Sequence, residues 1–241
     1  MSLPRKRTTR AGSMVESVTV TIAGSPSAAE NPPKDAIWRR AVADAVRGRP
    51  RAATVTLHFR LEPKRWRIDI DNLTRLALDG LRDGGVLEQG LGSVWLIEAQ
   101  KAASVEPGLD VTLTDTTWLV GGRPLQADSL PGLVELDAEI DAIPREGKVD
   151  EKRAWRTAVQ HVWRDPPLAD PVFIDIWTRT GGSLAATLKP VIDGLEAFLG
   201  RDPQGRLEFC PSDDRVMWLR IVRVVEGPAL RVRAGRFGGT S

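Results

Sequence analysis

Tyrosine is absent from this 241-residue chain, cysteine occurs once and histidine twice. Cys210 alone excludes an internal disulfide, which fits a reducing, cytoplasmic setting. His58 and His161 stand about a hundred residues apart, so no His/Cys cluster of the kind that holds zinc is present. No apolar run approaches the roughly 20 residues of a membrane span. The opening MSLPRKRTTR lacks the apolar core of a secretory leader, so no membrane partner is expected.

What remains is an ordinary globular composition, 41% hydrophobic and 27% charged, with a net charge of +2. The basic residues are unevenly placed. Arg5, Lys6, Arg7 and Arg10 form a basic arm, and Arg231, Arg233 and Arg236 a second cluster. Both suit a phosphate backbone, although charged tails also serve solubility alone.

Periodicity orders the chain. Residues 17–23 and 53–61 alternate as strands, and Lys34 to Val46 carries a helical apolar face with Ile37, Trp38, Ala41 and Val42. The stretch Arg67 to Leu81, RIDIDNLTRLALDGL, begins with strand-like alternation, so Asp69 and Asp71 leave one face. Asn72 then caps a helix that ends at Gly84-Gly85. Strands follow at Val94–Ala99 and Leu109–Leu113. The same β-α-β-α-β-β order returns as a strand at 133–141, a helix over Glu151–Trp163, a strand at Val172–Trp177, a helix over Leu184–Leu199, and strands at Arg215–Val225 and Ala229–Arg233.

The return extends to residues. IWRRAV at 37–42 matches AWRTAV at 154–159 at an offset of 117, and LTRLALDGL at 73–81 matches LKPVIDGL at 188–195 with Arg75 on Lys189 and Asp79 on Asp193 at an offset of 114. The fold class is therefore α+β, built as a tandem duplication. It divides into a basic arm (1–14), a first repeat (15–118), a turn-rich linker (119–132) and a second repeat (133–236).

A strand, D-x-D-N, a helix ending in L-D-G-L, then Gly-Val, two acids and a strand resembles the RusA family of Holliday-junction resolvases. The resemblance covers most of each half. It implies a homodimer-like arrangement within one chain, a pseudo-dimer, using Mg2+ or Mn2+ to cut branched DNA in recombination and repair. It makes Asp69 and Asp71 the metal-binding pair, with Arg75 where the family has lysine. The second acidic pair falls on Leu91 and Gly92 in the first half, with Glu88 the nearest carboxylate. The second half has Ser183, Ala185 and Ala186 in place of D-x-D-N, yet keeps Lys189, Asp193 and the pair Asp213-Asp214.

Each half keeps what the other lacks. Three arrangements follow: a composite site of Asp69, Asp71, Asp213 and Asp214 with Lys189 or Arg75 as cation; a site within the first half that uses Glu88; or an inert binding module. Because the two acidic motifs lie some twenty residues apart in one repeat, a site within one copy is the simplest to build. One site would nick one strand per binding event, whereas resolution takes two cuts.

Among the eight tryptophans, Trp38, Trp155, Trp95 and Trp218 read as core. Trp66, flanked by Lys64, Arg65 and Arg67, reads as a DNA contact. Gly181-Gly182-Ser183 with Lys189 lacks the spacing of a P-loop. Arg75 with Asp79, and Lys189 with Asp193, are spaced as ordinary i,i+4 helix pairs.

Overall fold

A computed structural model describes residues 17–27, 32–87, 94–114, 129–205 and 207–238, together with the backbone of 119–120 and 123–124. Its elements are β1 (Ser17–Ala23), α1 (Pro32–Val46), β2 (Thr54–Leu61), α2 (Ile70–Asp83), β3 (Leu96–Ala103), β4 (Gly108–Thr114), a two-residue ladder of β5 (Leu119–Val120) and β6 (Arg123–Pro124), then β7 (Leu136–Ile140), α3 (Val149–Val162), β8 (Val172–Thr178), α4 (Leu184–Asp193), α5 (Glu196–Leu199), β9 (Val216–Arg223) and β10 (Leu230–Arg236). The fold is mixed α+β.

Eight strands form one sheet in the order β1-β4-β2-β3-β9-β8-β10-β7. From either edge inward the pairing follows one pattern. An antiparallel edge strand (β1 or β7) meets β4 or β10, which pairs antiparallel with β2 or β8, and that strand runs parallel to β3 or β9. The two central strands then meet antiparallel, Leu96 opposite Val222, Ala99 opposite Leu219 and Gln100 opposite Trp218. A parallel neighbour needs a crossover connection, and α2 and α4 supply it in the two halves.

Alternation explains which sheet face is covered. Val55, Leu57, Phe59 and Leu61 of β2, Ile97 and Ala99 of β3, and Leu219 and Ile221 of β9 join the apolar faces of the helices in one buried core. Trp38 and Trp155 lie in it as expected. Trp218 is buried on the opposite face, where it meets Phe173 edge-on, while Trp95 is half-buried.

The glycine of L-D-G-L has the same use in both halves. A Cβ on Gly80 would stand 2.7 Å from Val42 Cβ of α1, and one on Gly194 would stand 2.1 Å from Trp155 Cδ1 of α3. The motif thus lets each crossover helix press against its neighbour.

Several expectations change. The D-x-D stretch is not a strand: Asp69 is the N-cap of α2, and Asp71 and Asn72 already lie in the helix. Aspartate caps as well as asparagine, and the alternation of RIDID mimics a strand. The helix expected over Leu184–Leu199 breaks at Gly194-Leu195, giving α4 and α5. Part of the 119–132 linker forms the β5–β6 ladder, and much of the rest falls outside the described residues. Arg231, Arg233 and Arg236 are not a free basic cluster: they lie on β10 and pair with Asp137, with Asp175, and with Glu135 and Asp170. Asp79 pairs with Arg82 at 2.7 Å, while Arg75 reaches back to Asn72 Oδ1 at 3.4 Å.

Candidate metal centre

The antiparallel meeting of β3 and β9 decides which side chains converge. Since β2 and β3 are parallel, with Leu61 opposite Ala103, α2 begins at the C-terminal end of β3. Since β9 runs the other way, its N-terminal end lies at that same place. The turn that leads into β9, a single 3-10 turn at Asp213–Arg215, is therefore delivered to the start of α2. Val94 and Trp95, which lead into β3, sit by contrast at the far end of that strand, roughly 25 Å away by strand rise. This topology favours a site shared by the halves over one built within a single copy. Glu88, Leu91 and Gly92 lie outside the described residues.

Oxygen atoms of Asp69, Asp71 and Asp213 lie within 4.8 Å of one another. Asp69 is held by its extended N-cap conformation (φ −65°, ψ 128°), and its Oδ2 accepts from Asn72 Nδ2 at 3.1 Å. Asp71 is one helical step inside, 5% exposed, with Oδ1 accepting from the Asn72 backbone N–H at 2.8 Å. Ile70 between them is buried and anchors the turn in the core. Asp214 stands apart from the three: its Oδ1 accepts from Ser212 Oγ at 3.1 Å.

Crowding of like charges is written in the acidities. Burial, then the charges of Asp69 and Asp71 and a hydrogen bond with Asp69, push the Asp213 carboxyl up to about 8, against the pull of Lys189. Burial likewise raises Asp71; Lys189 opposes it and Asp69 adds to it. Lys189 is the cation on this side. Burial lowers its pKa, but Asp193, Asp71 and Asp213 outweigh that and raise it. Its Nζ donates to Asp193 Oδ1 at 3.2 Å, and the buried Asp193 also accepts from Lys152 at 2.9 Å. That pairing matches the helix-pair reading for Lys189. Arg75 is exposed on α2.

A cleft of about 710 Å³ opens over Asp69 and Asp213, lined among others by Arg67, Lys189, Phe209 and Asp214, and the buried Asp71 lies behind them. A second groove, shared at Arg67, Asp214 and Arg215, is walled by Trp66, Pro171 and Met217. Lys64 pairs with Glu62 at 2.8 Å, and Arg65 donates to Ser25 Oγ at 2.9 Å. Arg5, Lys6, Arg7 and Arg10 lie outside the described residues.

Lys101 was not among the residues expected at the site. It is 1% exposed at the C-terminal end of β3, and its Nζ donates to Ile68 O at 2.8 Å and to Asp214 O. Burial lowers its pKa to about 8, against the pull of Asp69, Asp214, Asp213 and Asp71. The signal was its parity: in β3, position 101 points the same way as the inward Ile97 and Ala99.

Three converging carboxylates are a donor set for a hard divalent cation, because such ions take oxygen ligands and keep several waters. The cluster could hold a metal ion; its identity is open. No protein-family model matches the chain, and no match was found among curated proteins.

Proposed function

We propose that this chain is a metal-dependent DNA endonuclease of the RusA kind, a duplicated unit folded as an intrachain pseudo-dimer with one composite catalytic centre. The observation that carries this reading is the convergence of Asp69 and Asp71 from the first half with Asp213 from the second. The matching strand order of the halves and the equivalent N-caps Asp69 (φ −65°, ψ 128°) and Ser183 (φ −68°, ψ 128°) support the duplication.

Asp69, Asp71 and Asp213 would hold Mg2+ or Mn2+, which supplies charge relief to a phosphodiester and a water more acidic than bulk. Lys189, beside the same carboxylates and half-exposed to the cleft, places a positive charge for a phosphate oxygen. Arg67, on the wall shared with the adjoining groove, and Trp66 within that groove suit the flanking backbone and an unstacked base.

The equivalent location at the other end of the central strand pair carries Ser183 and Ala185 in place of carboxylates, and Ser183 Oγ instead caps α4 by accepting from the Ala186 N–H at 3.4 Å. One working centre makes the protein a nickase of branched DNA in place of a paired-cut resolvase. The test is Mg2+-dependent cleavage of an end-labelled four-way junction. Wild type is expected to release a nicked strand and Asp71→Asn none; no cutting by wild type would leave a DNA-binding module without catalysis.

A further inference from the structure

Two buried cations tie the halves together by the same bonds at opposite ends of the central strand pair. Lys101, near the end of β3, donates to the carbonyl of Ile68, the residue before the N-cap Asp69, and to that of Asp214, two residues before β9. Arg223, the last residue of β9, donates through Nη2 to the carbonyl of Gly182 at 2.7 Å, the residue before the N-cap Ser183. Its Nε donates to Val94 O at 3.4 Å, two residues before β3. Arg223 Nη1 adds the carbonyl of Thr180. Each cation therefore clasps the helix-entry turn of its own half to the strand-entry turn of the other.

At the Arg223 end the D-x-D carboxylates are missing, and the clasp joins turns without them. At the Lys101 end the same two turns carry Asp69 and Asp213, and the first of them leads directly into α2 with Asp71. Ile68 is adjacent to Asp69, and Asp214 is adjacent to Asp213. A displacement of either turn would separate carboxylates that must share one ion.

We infer that Lys101 is a positioning residue of the metal centre, setting through two backbone carbonyls the spacing between the first half's aspartates and Asp213. This rests on the reading of the three aspartates as metal ligands. Lysine suits the place because a compact ammonium can bond two carbonyls in a narrow, buried gap, whereas a guanidinium is a wider planar fork. The aspartates supply the ligand atoms, and Lys101 acts on the ion only through them.

The experiment is a calorimetric titration of the whole chain with Mn2+, together with its metal-free melting temperature. Wild type is expected to bind and Asp71→Asn to lose binding; failure of that pair of arms would remove the metal-site reading, and this inference with it. With those arms satisfied, Lys101→Met is expected to weaken Mn2+ by about 10–100-fold, as loss of a residue that orients metal ligands does. Arg223→Met is expected to lower the melting temperature as well but to leave Mn2+ affinity at the wild-type value. Should Lys101→Met not fold, Lys101→Arg decides, since Arg223 shows that a guanidinium can form the clasp. It is expected to fold and bind Mn2+ more weakly than wild type. Wild-type affinity in the folded Lys101 variant, or equal losses from Lys101→Met and Arg223→Met, would overturn the inference and leave Lys101 a structural clasp alone.

Discussion

Asp71 and Asp213 come from opposite halves of the sheet, yet their carboxylates lie within 4.8 Å of one another. The helix that carries the first starts at the C-terminal end of β3, and the turn that carries the second lies beside it because β9, which follows that turn, runs antiparallel to β3. Neither half could bring these groups together alone.

Burial of Asp213, with Asp69 and Asp71 crowded against it, makes metal-free stability fall as pH rises. Asp213 has its pKa raised from 3.8 to about 8 on folding, so between those values the folded state holds a proton that the unfolded state has released. Stability falls wherever the folded state binds more protons. The stabilising effect of that proton is complete below about pH 4 and is lost as pH passes through about 8. Thermal melts in chelator across pH 5 to 8 are expected to show a decline that Asp213→Asn flattens. Equal slopes in both proteins would contradict it.

Close helix approach at L-D-G-L makes Gly194→Ala destabilising. Its new Cβ would overlap the Trp155 ring, whose Nε1 is held by Val191 O at 2.9 Å. Overpacking of this kind costs about 1–3 kcal/mol, read as a shift in denaturant midpoint with the slope unchanged. A midpoint within error of wild type would show that α3 and α4 can part without cost.

Asp193 is a structural carboxylate. It is 3% exposed and accepts from Lys152, itself 7% exposed, and from Lys189, so Asp193→Ala removes the 2.9 Å partner of a buried ammonium and leaves it Glu146 alone at 3.3 Å. The expected loss is about 1–3 kcal/mol by urea denaturation, the usual range for taking one hydrogen-bond partner from a buried polar group. The Lys152→Met, Asp193→Leu double variant is expected to recover much of it.

Local patterns carried most of the elements in advance. Period-2 alternation marks β1 and β2, helical spacing marks α1 to α3, and the two offsets point to one order used twice. The D-x-D turn was misread because Ile68, Asp69 and Ile70 alternate like a strand, while the backbone turns helical at Ile70. Beyond its parity Lys101 carries no such signal, because the apolar run of β3 ends at Ala99 and a lysine in a strand ordinarily faces water. Above all, nothing local states that β3 pairs with β9. That pairing joins residues more than a hundred apart, and it alone places Asp213 at the start of α2. The residue types of the site were therefore legible, and their meeting was not.

The composite nature of the centre is tested most directly by Mn2+ titration of wild type, Asp71→Asn, Asp213→Asn and the double variant. One shared centre predicts a single strong ion-binding event in wild type, lost to a similar extent in both single variants, with little further loss in the double. Wild-type affinity retained by Asp213→Asn, with binding lost only in Asp71→Asn, would place the site within the first half and contradict the account.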